Sequence, residues 1–331
     1  MRKVAALLAF GCFAVAPVVA APVLYGEAHL SVNKFSQLND GELRMESHNS
    51  LIGLKGSEDL DHGVKFIYKV EFGYDTTERN NDTTNASTDN AATFTDRDQW
   101  LGFASQEWGV IRLGTVSTGY KSSGAALDPL YNTVFEQRGY LGMQSSLHAG
   151  NGVDGGRSTN TIRIDTIARQ GFKFTGSYSL GEQQGNTQAL GVRYERNALK
   201  FNIDYLNSRS KSATALKFGV GYAVTPQFRL SFQHEGADNV LFDGGVDVER
   251  HAADLGSIDT VYKVDMSYIM GNSAWVLAYG VQSGYSRSYL LAWNYKFSSK
   301  TDIYAGYGNK GFDRQGIKSD AIFAFGLRHK F

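Results

Sequence analysis

Residues 64–74 read Val64-Lys65-Phe66-Ile67-Tyr68-Lys69-Val70-Glu71-Phe72-Gly73-Tyr74, and their alternation decides the fold. Successive side chains of a strand point to opposite faces. Val64, Phe66, Tyr68, Val70, Phe72 and Tyr74 therefore form one apolar, aromatic face, while Lys65, Ile67, Lys69, Glu71 and Gly73 form the other. The pattern recurs. In 216–224, Leu216, Phe218, Val220, Tyr222 and Val224 alternate with Lys217, Gly219, Gly221 and Ala223. In 262–270, Tyr262, Val264, Met266, Tyr268 and Met270 face away from Lys263, Asp265, Ser267 and Ile269, and 289–297 repeats the pattern with Tyr289, Leu291, Trp293, Tyr295 and Phe297.

Sixteen segments of this kind follow one another, near 23–35, 45–56, 64–75, 97–105, 109–117, 158–166, 172–180, 187–196, 199–208, 212–224, 228–236, 257–270, 274–283, 286–297, 301–310 and 319–331. Short turns such as Arg196–Ala198 and Ser298–Lys300 alternate with longer connections, of which 76–96, 118–157 and 237–256 are the largest. Short turns at one end and long loops at the other define an up-and-down antiparallel barrel of the outer-membrane type. Strands of a soluble sandwich average about five or six residues. Most of these run to about ten, the length a tilted membrane-crossing strand requires. The expected fold is all-β, a 16-stranded antiparallel transmembrane β-barrel. Residues 80–95, a polar low-complexity run, suit a solvated loop tip.

The first twenty residues differ in kind. Arg2 and Lys3 precede an almost unbroken apolar run, Val4 to Val19, and Val18-Val19-Ala20 supplies the small residues of a cleavage site. This is the layout of a secretory signal peptide. The expected division is a signal segment 1–20 and a mature barrel 21–331. Cys12, the only cysteine, lies in the part removed, so disulfides and thiolate chemistry are excluded from the mature chain. Losing Arg2 and Lys3 from 33 basic residues leaves 31 against 33 acidic ones, and no basic balance points to nucleic acid. His29, His48, His62, His148, His234, His251 and His329 show no metal-ligand spacing, and no nucleophile motif stands out. An enzyme and a bound cofactor are not expected.

Residues 50–72, from Ser50-Leu51-Ile52-Gly53-Leu54-Lys55-Gly56-Ser57-Glu58-Asp59-Leu60 through Glu71-Phe72, closely resemble the second and third strands of Gram-negative general porins. Leu24-Tyr25-Gly26 is similar to that family's mature N-terminus, and Arg97 with Trp100-Leu101-Gly102-Phe103, then Gly109 to Gly114, to its fourth and fifth strands. Gly326-Leu327-Arg328-His329-Lys330-Phe331 resembles its C-terminus. The likeness runs in order through nearly the whole mature chain and favours the neisserial and β-proteobacterial branch. It implies a trimeric barrel in the bacterial outer membrane, contacting membrane lipid and lipopolysaccharide, with a third extracellular loop folded inward to narrow the pore. That loop is 118–157, the longest connection, and long loops in compact domains are usually functional.

The same resemblance implies a general diffusion porin for ions and small hydrophilic solutes. Charged side chains at a narrow point set the selectivity of such a channel. The candidate constriction and lumen residues are Arg97, Arg112, Lys121, Asp128, Glu136, Arg138, Lys65 and Lys69, with the loop acids opposing the wall cations. Alternation also turns Arg163, Asp165, Lys173, Arg193, Lys217, Arg229, Lys263 and Asp265 inward. Two places where the family often carries Arg are Leu51 and Thr115 here, which weakens the basic side and leaves anion or cation preference open. The alternatives are a channel selective for organic acids or phosphate, and a non-conducting surface or scaffold barrel. Ala321, Phe323, Phe325, Leu327, His329 and Phe331 form the outward row of the last strand. A last strand of this form resembles the recognition signal of the outer-membrane assembly machinery.

Overall fold

The computed structural model describes residues 21–37, 41–77, 94–137, 140–141, 157–181, 186–209, 212–238, 260–313 and 318–331. The expected signal segment 1–20 and Arg138 lie outside these residues, as does most of the loops 76–96 and 237–256. In chain order the strands are β1 (Val23–Phe35), β2 (Leu43–Ser47), β3 (Leu51–Asp59), β4 (Val64–Gly73), β5 (Thr95–Ser105), β6 (Gly109–Ser117), β7 (Arg157–Thr166) and β8 (Phe172–Ser179). They continue as β9 (Thr187–Arg196), β10 (Leu199–Ser208), β11 (Ala213–Ala223), β12 (Phe228–Ala237), β13 (Thr260–Met270), β14 (Ser273–Gln282), β15 (Ser286–Lys296), β16 (Thr301–Phe312) and β17 (Asp320–Lys330). One short helix, α1 (Gly119–Ala125), follows β6.

The seventeen segments make sixteen staves, because β2 and β3 both pair with β1. The sequence predicts one strand over 45–56; the structure breaks it at 48–50. Ser47 pairs with Leu30 and Leu51 with Glu27, so three residues of one strand face two of the other, a β-bulge. Asn49 takes a left-handed conformation there (φ 51°), which asparagine tolerates better than most residues. Ser50 repairs the interrupted ladder. Its Oγ donates to the His29 carbonyl at 3.0 Å and accepts from the His29 N–H at 3.0 Å.

Every neighbouring pair is antiparallel, and β17 closes on β1 from Glu27 opposite Lys330 to Phe35 opposite Ile322. Closure matters because a membrane offers no water to an open strand edge. The last residue finishes the seam: the Phe331 N–H donates to the Gly26 carbonyl at 3.1 Å, and the Gly26 N–H to the Phe331 carbonyl at 3.2 Å. Gly26 has to be small, since a Cβ there would lie 2.2 Å from Cζ of the Phe331 ring.

The two faces separate as the alternation requires. Val264, Met266, Tyr268, Phe323, Phe325 and Leu327 are exposed on the outside, while the intervening Lys263, Asp265, Ser267, Ile322 and Ala324 are buried. Exposed apolar and buried charged side chains invert the pattern of a soluble protein and fit a barrel immersed in lipid. Aromatic rings meet across outward neighbours, Phe66 with Phe103 at 5.7 Å and Trp275 with Trp293 at 6.3 Å. Trp293, Tyr295 and Phe297 stack in sequence beside a short turn, at 6.0 and 5.0 Å, where an aromatic girdle belongs.

Candidate functional site

The inner wall is divided in two. On β4 to β7 it carries charge. Strict alternation through β5 would put Arg97 on the side of Leu101 and Phe103, which are exposed to the outside. A bulge prevents this. Val70 pairs with Gln99 but Phe72 with Asp96, so Arg97 and Asp98 together face Glu71. Arg97 Nε then lies 2.6 Å from Glu71 Oε1, and Lys69 Nζ lies 2.8 Å from Glu71 and 3.2 Å from Asp98. Arg157 Nε reaches Asp98 at 3.1 Å, Ser117 Oγ donates to Asp98 at 2.9 Å, and the Tyr25 hydroxyl donates to Glu71 at 2.8 Å.

A second network lies on β6, β7 and β8 around Asp165. Arg112 Nη1 approaches it to 2.5 Å, Arg163 Nη2 to 2.9 Å and Lys173 Nζ to 3.9 Å. Arg112 also stands 5.2 Å from the ring centroid of Trp100. The two networks set six cations against three carboxylates, an arc of net positive charge. Leu51 is buried on the inner face between Glu27 and Gly73, and Thr115 sits at a bulge between β6 and β7.

Across the lumen, on β9 to β17, the wall is covered by the loop after β6. Thr118 caps α1, its Oγ1 accepting from the Lys121 N–H at 3.1 Å. The loop backbone is then gripped by inward side chains. Arg193 donates to the Gly119 carbonyl and Lys217 to the Tyr120 carbonyl, while Gln233 Nε2 donates to the Gly124 carbonyl at 3.3 Å. Lys263 Nζ donates to the Leu127 carbonyl at 2.9 Å and to Asp265 at 2.5 Å. Arg193 and Lys217 thereby hold the first turn of α1, and Gln233 and Lys263 hold its end and the residues just after it. Beyond α1, Leu130, Phe135 and Leu141 pack with Val276, Ala278, Leu290, Ala292, Tyr304, Ile322 and Ala324 in an apolar cluster inside the barrel.

The two loop acids serve the loop's own shape. Asp128 accepts from the Leu130 N–H at 2.9 Å and the Gln137 N–H at 2.7 Å, and Glu136 from the Asn132 N–H at 3.0 Å. Burial raises the Asp128 pKa to about 7, against the pull of Lys263 and the two N–H donors, with Glu136 adding to the rise. Lys121 is buried in the first turn of α1. Lys65 stands at the short-turn end of β4, half-exposed and 2.8 Å from Asp59, outside both networks. The structure thus brings Arg97 with Lys69, and Arg112 with Asp165, but keeps Lys65 apart. Arg157, one of the charged residues of the loop read over 118–157, joins the first network. So does Asp98, which did not stand out in the sequence and was legible only through the bulge.

A membrane-spanning barrel with charge on one inner wall and a loop laid on the other belongs to the channel-forming class of proteins. The chain is a member of the Gram-negative porin family, whose model matches residues 4–315. It is thereby a protein of the Gram-negative outer membrane. A curated outer membrane porin of Bordetella pertussis is 26% identical over 245 residues, covering 73% of this chain. The match spans 57% of that relative's length. Among solved structures, an anion-selective porin from Comamonas acidovorans superposes with a TM-score of 0.72 at 18% identity, covering 94% of this chain and 99% of that one. OmpF of Salmonella typhi, in complex with daunomycin, gives 0.70 at 13% identity, covering 94% and 97%.

Proposed function

We propose that the protein is a general diffusion porin, a water-filled channel through which ions and small hydrophilic solutes cross the outer membrane without a cofactor. The observation that carries this is the split lumen: the loop is held against β9 to β17, and the facing arc on β4 to β8 holds Lys69, Arg97, Arg112, Arg157, Arg163 and Lys173. The loop sets the width and the arc sets the field. With six cations against three carboxylates, the channel favours anions, even though Leu51 and Thr115 occupy two places where the resemblance suggests arginine. The chain is exported by residues 1–20, works as a homotrimer among outer-membrane lipid and lipopolysaccharide, and presents the strand ending in Phe331 to the assembly machinery.

Planar-bilayer recording of the purified protein tests this. Stepwise conductance in groups of three is expected; a silent protein would make the barrel a surface or scaffold protein instead. The second reading, a channel selective for organic acids or phosphate, draws on the three cations gathered round Asp165. Chloride current reduced by millimolar phosphate or a dicarboxylate would favour it over general diffusion.

A further inference from the structure

Five positions on the inner wall are glycine for a reason their own backbone does not supply. Gly219 and Gly221 lie within β11, Gly280 within β14, and Gly306 and Gly308 within β16. None has a positive φ. A strand glycine packs nothing and is costly to order, so it marks a bulge or the close approach of another segment. No register shift interrupts the ladders of β11, β14 or β16. Close approach remains, and what approaches is the loop after β6.

A Cβ at Gly219 would lie 2.5 Å from Leu127 Cδ1, and one at Gly221 2.8 Å from Leu127 Cδ2. At Gly280 it would meet Leu141 Cβ at 2.9 Å, at Gly306 Phe135 Cε2 at 2.7 Å, and at Gly308 Tyr140 Cε1 at 2.5 Å. Each side chain of the loop that lies over a wall glycine therefore drops into the space a side chain would fill. The hydrogen bonds from Lys217, Gln233 and Lys263 fix where along the wall the loop runs. The glycines fix how deep it lies. Behind them the strand ladder is closed, so a loop denied this depth can move only toward the cationic arc.

We propose that these glycines are pore-width determinants, a row of notches that seat Leu127, Phe135, Tyr140 and Leu141 and so keep the lumen open on its charged side. This rests on the loop being the constriction of a conducting channel. Residues that touch no solute would then set the size limit for solutes.

The test fills two notches where the three atoms nearest the built Cβ all belong to a loop side chain, Leu141 at Gly280 and Tyr140 at Gly308. Gly306 is avoided because its Cβ would also meet the Leu291 carbonyl oxygen at 2.9 Å. In the full mature protein, G280V/G308V is expected to lower single-channel conductance by roughly a third or more and to slow larger sugars more than smaller ones in liposome swelling. Wild-type conductance and size limit in the folded variant would overturn the proposal. A second variant does not depend on tolerating bulk. The sole cysteine of the sequence is Cys12, so L141C/G280C offers one possible disulfide within the barrel. The 2.9 Å from the built Cβ to Leu141 Cβ lies below the usual disulfide spacing of about 3.8 Å, so slight relaxation suffices. Oxidation is expected to form the bond and leave conductance as in the reduced protein; no bond, or a changed conductance, would overturn the seating. A wild type that is silent yet forms this disulfide in the variant would overturn the channel reading and leave the seating standing.

Discussion

Arg97 reaches the lumen only because two residues of β5 share one place opposite Glu71. Its 2.6 Å contact with Glu71 holds it there, beside Lys69 and Asp98. Arg97→Ala removes one charge from the arc, and its effect on a passing ion follows Coulomb's law in a wet lumen, on the order of 1 kcal/mol at contact. The K⁺ to Cl⁻ permeability ratio, read from the reversal potential in a salt gradient, should rise roughly two- to fivefold. An unchanged potential would remove Arg97 from the selectivity site. Asp128 makes a different prediction. Its pKa is raised to about 7 in the folded protein, so between an unfolded value of about 4 and that point the native state holds the extra proton. Its contribution to stability is therefore complete below about pH 4 and is lost as pH rises through 7. Asp128→Asn keeps an acceptor for the Leu130 and Gln137 N–H groups and removes the titration. The thermal midpoint of the wild type should fall relative to the variant between pH 5 and pH 8, and a constant difference would contradict the assignment.

Two elements depend on contacts that no single strand contains. The stave formed by β2 and β3 is joined through Ser50, which exchanges two hydrogen bonds with His29 where the ladder is broken. Ser50→Ala leaves the His29 N–H short of a buried partner, at about 1–2 kcal/mol, while the His29 carbonyl keeps the His48 N–H at 2.9 Å. Since β1 is also the closing strand, the folded, heat-resistant band on unboiled gels should disappear at a lower temperature. The anchor at Lys263 works on the loop instead. Lys263→Met strands Asp265 without its cation and leaves the Leu127 carbonyl only the longer bond from Ser231 Oγ at 3.3 Å, a change of roughly 3–5 kcal/mol for a buried pair. Because the strands keep their ladders, the barrel should still assemble, but with greater current noise and faster proteolytic cleavage near Leu127. A quiet channel with wild-type cleavage would show that the hydrogen bond is dispensable.

At the scale of the molecule, the staves were legible because their signal is local. β6, β9 and β10 fall where the alternation predicts, at 109–117, 187–196 and 199–208. Phe323, Phe325 and Leu327 face outward as expected from the last strand. What periodicity misread has one cause: a bulge changes side-chain phase without leaving a mark in composition. The break at Asn49 split a strand read as continuous; Arg97 lies on the inner face where it was expected, but the bulge opposite Glu71, and not plain alternation, puts it there. Asp128 and Glu136 were read as charges opposing the wall, whereas their hydrogen bonds fold the loop, which depends on where Leu130, Asn132 and Gln137 bring their N–H groups. The sequence by itself determined the barrel, its two faces, its closure near Phe331 and the position of the long loop, since each follows from a two-residue period and the spacing of turns. Only the tertiary structure decided which cations share a carboxylate and which wall the loop lies on. Those depend on distances between staves far apart in the chain, and no local pattern encodes them.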